Sequence, residues 1–94
     1  MEKLSTEKIK TALATVPDWK KKGATIARTD RFKDFPAAIK FVRAVAGLAE
    51  KAWHHPDIDI CWNKVTLALT MHDAGGLTEK DFALAKKFDG LSLR

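Results

Sequence analysis

Apolar residues recur at helical spacing in three stretches of the chain, and the segments between them carry the shorter pattern of strands. Over residues 5–16, "STEKIKTALATV", the positions Ile9, Ala12, Leu13 and Val16 extend an apolar face begun by Leu4, with Ser5 or Thr6 placed as N-cap. Pro17-Asp18 ends that helix. "WKKKGATIARTDRF" then reads as two short strands broken near Gly23, the second rich in Thr and Ile. From Asp34 the helical pattern runs unbroken to Pro56, with Asp34 as cap and Pro36 in the first turn. Ala38, Ile39, Phe41, Val42, Val45, Ala46, Leu48, Ala49, Ala52 and Trp53 cover well over half of its circumference. A helix packed on one side needs a stripe of only about 100°. The extra width predicts burial on two sides, against a sheet and against another helix or subunit. The narrow polar stripe that remains is Lys40, Arg43, Gly47, Glu50 and His54, which puts Glu50 and His54 one turn apart on one face.

Beyond Pro56, "DIDICW" and "VTLALTMH" read as strands joined around Asn63-Lys64. Strict alternation puts Val65, Leu67, Leu69 and Met71 on one face and Thr66, Ala68, Thr70 and His72 on the other. His72 thus ends the less apolar face. "DAGG" makes a turn, and "LTEKDFALAKKF" is a helix with Thr78 as N-cap and Asp81 as the capping-box acid. The order α-β-β-α-β-β-α predicts an α+β fold, a four-stranded antiparallel sheet with three helices on one face.

Composition narrows the class. The 94 residues predict a single domain, 1–94, and 46% apolar with 31% charged residues suit a globular chain. The longest apolar run, "AVAGLA", is too short to span a bilayer, and "MEKLSTEKIK" has no hydrophobic signal core, so no membrane association or secretion is expected. The single cysteine, Cys61, cannot form an internal disulfide, which fits the cytoplasm. The net charge of +5 includes one basic triplet, Lys20–Lys22, but charges are otherwise mixed. Without an aromatic RNA-binding signature, zinc-finger spacing or phosphate loop, nucleic acid is not the expected partner.

Candidate chemistry centres on three histidines: His54 and His55 in "EKAWHHPDIDICW", and His72 in "LTMHDAGG". Imidazole both gives and takes protons near neutral pH, so a pair suits a reaction that delivers one proton and removes another. Helical spacing would let Glu50 hold the His54 ring and raise its pKa. Two other readings stay open on spacing alone. His54 can simply end a helix against its dipole, with His55 in a loop and His72 at a strand end. His54, His55, Cys61 and His72 are also nominal zinc ligands, although adjacent residues seldom face one ion. Cys61, in an apparent strand between Ile60 and Trp62, reads as core, and Trp19, Trp53 and Trp62 as core or pocket wall.

The ordered set Glu50, three residues, His54-His55-Pro56, five residues, Trp62, nine residues, His72, eight residues, Asp81 resembles the signature of the pterin-4a-carbinolamine dehydratases. The likeness runs from about Trp19 to Phe88 and includes "RFKDFPAAIKFVRAVAGLAE" and "NKVTLALTMHDAGGLTEKD". It implies dehydration of 4a-hydroxytetrahydrobiopterin to quinonoid dihydrobiopterin, with no cofactor and no metal. It also implies His54 and His72 as the acid–base pair, Glu50 orienting His54, and His55 and Pro56 at the pterin. Trp62, where the family can have Tyr or Phe, would pack near the site, and Asp81 joins the signature as well as capping its helix. Homodimers or homotetramers are implied. Some members of the family also act as dimerisation partners of a homeodomain transcription factor, and others are linked to another pterin pathway such as molybdopterin, so a non-catalytic binding module or a role in such a pathway is the alternative.

Overall fold

The computed structural model describes residues 2–92, so positions 1, 93 and 94 of the expected domain lie outside the described residues. Seven principal elements follow in the predicted order: α1 (Thr6–Ala14), β1 (Lys20–Lys22), β2 (Thr25–Arg31), α2 (Phe35–Ala52), β3 (Asp57–Cys61), β4 (Lys64–Leu69) and α3 (Glu79–Asp89). The strands form one antiparallel sheet in the order β1-β2-β4-β3.

Register decides which side of the sheet is buried. Ile26 pairs with Leu69, Arg28 with Leu67 and Asp30 with Val65, while Ile58 and Ile60 of β3 lie beside Leu67 and Val65. These side chains share the helix-bearing face, where Ile26, Val65, Leu67 and Leu69 are fully buried. The opposite face carries Thr29, Thr66, Asp57, Asp59 and Cys61, and its threonines bridge strands β2 and β4 through a 2.8 Å hydrogen bond. Cys61 is therefore exposed and not core, because its strand position points away from the helices.

Helix α2 supplies Ala38, Phe41, Val45 and Ala49 to the core, and α3 supplies Phe82, Leu84, Ala85 and Phe88. Asp34 caps α2 by accepting the Ala37 N–H at 2.9 Å, and Ser5 caps α1 by accepting that of Lys8. The amphipathic α1 lies over the rim, where Leu4, Ile9, Ala12 and Leu13 cover the core without being buried themselves. The predicted surplus of apolar surface on α2 is present: Phe35 and Ala46 are exposed, and Ile39 and Val42 are only partly covered.

Only one of the three tryptophans belongs to the core. Trp19 is buried and donates its indole N–H to Asp89 Oδ1 at 2.8 Å. Trp53 and Trp62 are 72% and 66% exposed. The triplet Lys20–Lys22 forms the whole of edge strand β1 and is exposed throughout, a placement that discourages edge-to-edge pairing.

Candidate active site

The site is built where α2 ends earlier than its sequence pattern predicts. The helix stops at Ala52, and Trp53 adopts φ 51°, ψ 44°, the left-handed region. Its N–H bonds back to the Glu50 carbonyl at 3.1 Å, and the His54 N–H to that of Ala49 at 3.1 Å, closing the helix. This reversal takes His54 off the polar stripe that carries Glu50. The expected pairing of Glu50 with His54 is therefore corrected, since i,i+4 geometry holds only while the helix continues.

His54 turns inward instead and is only 6% exposed. Its Nε2 lies 2.5 Å from Asp81 Oδ1. Asp81, in the first turn of α3, is fully buried, and its Oδ2 accepts the Thr78 N–H at 2.8 Å and the Thr78 hydroxyl at 3.3 Å. The capping acid read from the sequence thus has a second duty. A carboxylate that already accepts two donors through one oxygen is suited to accept an N–H through the other. That assigns the proton of neutral His54 to Nε2 and leaves Nδ1 as the acceptor. Asp81, part of the signature that the resemblance carries, is sealed from solvent and meets the cleft only through its bond to His54.

His55 faces the other way. It is exposed, its Nε2 lies 2.9 Å from Glu50 Oε1, and its ring makes a T-shaped contact with that of Trp53, with centroids 5.4 Å apart. Glu50 therefore positions His55. Pro56 follows directly, excludes helical continuation at His55 and leads into β3.

His72 is reached differently from the sequence expectation. Strand β4 ends at Leu69, and Thr70 sends its hydroxyl to the Ala24 carbonyl at 2.6 Å. Met71 makes only an isolated bridge with Gly76, and His72 opens a 3-10 turn, His72–Ala74, closed by Gly75 at φ 73°. The turn leaves His72 exposed, with no hydrogen bond to its ring among the described residues.

Trp53, His54 and His55 meet Thr70, Met71, His72 and Asp73 across an open cleft of about 300 Å³, near the lower end of small-molecule sites. All three histidines thus line one hollow. Hollows of about 370 and 400 Å³ against α1 are lined by lysine, glutamate and small side chains, with no imidazole among them. Thr70, Met71 and Asp73 were not among the residues expected here, although each lies within two positions of His72; Trp53 was read as core or pocket wall. Trp62 does not come to the cleft. It occupies the turn between β3 and β4, one whole five-residue strand (roughly 15 Å) from the Asp57 end. Cys61 sits at that far end as well, so the nominal zinc set is not brought together.

Comparison with known proteins bears on the family and the fold. Residues 2–91 match the family model described as pterin 4 alpha carbinolamine dehydratase. Relatives carrying the description "Putative pterin-4-alpha-carbinolamine dehydratase" include one from Chloroflexus aurantiacus, 61% identical over 95% of this chain and 96% of its own. One from Nocardia farcinica is 53% identical over 97% and 96% of the two chains. A crystal structure titled as a transcriptional coactivator/pterin dehydratase from Brucella melitensis superposes with a TM-score of 0.89 at 33% identity, covering 94% of this chain and 96% of that one. A pterin dehydratase-like RuBisCO assembly factor of the alpha-carboxysome shares the fold alone, with a TM-score of 0.61 at 24% identity over 76% and 82% of the chains. With a family model spanning nearly its whole length and relatives above half identity, this chain belongs to the pterin-4a-carbinolamine dehydratase family.

Proposed function

We propose that the protein dehydrates 4a-hydroxytetrahydropterins to quinonoid dihydropterins, using His54 and His72 as an acid–base pair. The observation that carries this reading is the cleft itself, which holds an Asp81-tethered imidazole and a second, untethered one. Loss of the C4a hydroxyl requires a proton on the departing oxygen and removal of the proton from N5. In the proposed step the N5–H pair forms the C4a=N5 double bond, the C4a–O bond breaks, and water leaves. The Asp81 tether fits His54 to accept the N5 proton, because the carboxylate stabilises the imidazolium that results. His72 then supplies the proton to the leaving oxygen, and solvent restores both rings. His55, held by Glu50, contacts the pterin.

The test is dehydration of a synthetic 4a-hydroxytetrahydropterin, followed by absorbance. His54→Ala and His72→Ala should each lower kcat by about 10²-fold or more while far-UV circular dichroism is unchanged. Wild-type turnover in both variants would overturn the assignment.

Self-association is part of the same proposal. Phe35 is half exposed beside the partly covered Ile39 and Val42, and Ile58 and Ile60 are each 37% exposed on edge strand β3. A homodimer or homotetramer would cover these surfaces. Sedimentation equilibrium should give two or four times the chain mass, and a monomer at micromolar concentration would count against it. A cytoplasmic setting, where the exposed Cys61 stays reduced, and a place in tetrahydrobiopterin recycling complete the proposal.

A further inference from the structure

Trp53 stands out because two unfavourable features coincide in it. Its backbone sits in the left-handed region, at φ 51°, where glycine or asparagine closes a helix with less strain than a bulky side chain. Its indole is also 72% exposed, more than any other large apolar side chain of the described residues. Neither helix closure nor core packing calls for tryptophan here.

The position is nevertheless firmly held. The Trp53 carbonyl accepts the Lys80 ammonium at 3.2 Å, tying the turn to the first turn of α3, next to Asp81. The ring is braced in a T-shaped contact by His55, whose own imidazole is fixed by Glu50 at 2.9 Å. A braced, uncovered aromatic ring at the mouth of the histidine cleft is a flat wall awaiting a flat ligand. Aromatic rings prefer offset stacking or edge contacts, and beyond the T-shaped contact with His55 most of the indole remains uncovered beside the cleft.

We propose that Trp53 is a substrate-binding residue, stacking on the flat 2-amino-4-oxo part of the pterin (N1–C2–N3–C4) and holding C4a and N5 between His54 and His72. The proposal rests on the dehydratase reading. The stack lies on the N1–C2–N3–C4 part of the pyrimidinone ring, which stays flat and conjugated while C4a goes from tetrahedral to planar, so it exists equally before and in the transition state. Trp53 therefore contributes to binding and leaves the chemical step alone.

The experiment is steady-state dehydration by wild type, Trp53→Asn and Trp53→Phe, each also run in sedimentation equilibrium. Asparagine tolerates the left-handed turn, so Trp53→Asn removes the indole while keeping the backbone. It should raise KM about tenfold with kcat within about twofold, and Trp53→Phe should restore most of the loss. An unchanged KM in Trp53→Asn, a fall in kcat without a rise in KM, or equal losses in both variants would overturn the stack. So would a change in sedimented mass accompanying the KM change, which would make Trp53 a contact between copies of the chain. Turnover by wild type with an unaffected Trp53→Asn sinks this inference alone. Absence of turnover by wild type sinks the dehydratase reading and the stack with it.

Discussion

Helix α3 has a carboxylate near each end, and the two do different things. At its start, Asp81 is sealed from solvent and bonds Thr78 and His54. At its last residue, Asp89 accepts the Trp19 indole N–H and Arg28 Nη1, both at 2.8 Å. Arg28 also pairs with Asp30 at 3.0 Å and with the exposed Asp18 at 3.3 Å. Burial acts to lower the Arg28 pKa, but the hydrogen bond and charge of Asp30 and the charges of Asp89 and Asp18 leave it raised above its ordinary value. The stabilisation implied is complete at any pH below the ordinary guanidinium value and is lost only as pH rises through the raised one. Every partner in the Arg28 cluster is another part of the fold. The Asp81 network instead ends on an imidazole with one ring nitrogen to spare, and that imidazole lines a cleft. A polar network that closes on itself is a staple, whereas one that ends at an open cleft is equipped for chemistry.

Substitution separates the two. The largest expected effect is at the cleft end: Asp81→Asn should lower kcat by at least about 10²-fold, because the amide no longer fixes the His54 tautomer or supports its charge. Some stability, about 1–3 kcal/mol, should go with it, since the site is fully buried. Should Asp81→Asn lose stability but keep its turnover, both ends of α3 would be staples and the contrast would fail. Next comes Arg28→Met, which removes the cation that Asp30 and Asp89 share. We expect a loss of about 2 kcal/mol, discounted because the cluster is only partly buried, read as a fall in Tm of about 10 °C. Its kcat at a temperature where it is folded should match wild type, and a tenfold fall would show that the staple also shapes the cleft. Glu50→Gln should be milder, a change of about two- to fivefold in KM, since the Glu50–His55 pair is solvent-exposed. If Glu50→Gln instead matched Asp81→Asn, the original sequence expectation for Glu50 would be restored. Smallest of all, Trp62→Asn should change neither kinetic constant by more than about twofold, and a gain of a few tenths of a kcal/mol is expected from relieving its φ of 53°.

Much of this was readable in the chain. The period-3.6 and period-2 patterns named all seven principal elements in order, and alternation along Val65, Leu67 and Leu69 gave the buried face of β4. The three histidines and Asp81 were singled out as a set. Misreadings fell where helices and strands stop. Hydrophobic period does not encode the left-handed residue that ends α2, and tryptophan is an unusual choice for it. Cys61 and Trp62 look like core by composition, yet one points to the open face of the sheet and the other sits in a hairpin turn.

Local sequence settled which residues alternate, cap and repeat, because those preferences act between residues within a turn or a pleat of one another. It could not settle that His54 binds Asp81, 27 residues away, or that Glu50 serves His55. The first pairing required α3 to dock against the end of α2, and docking is driven by apolar burial summed over the whole core, which carries no record of polar partners. The second joins residues five apart and followed from the left-handed turn at Trp53. The fold thus followed from short-range pattern, while the partners of its polar groups depended on where α2 stops and on which distant segments met.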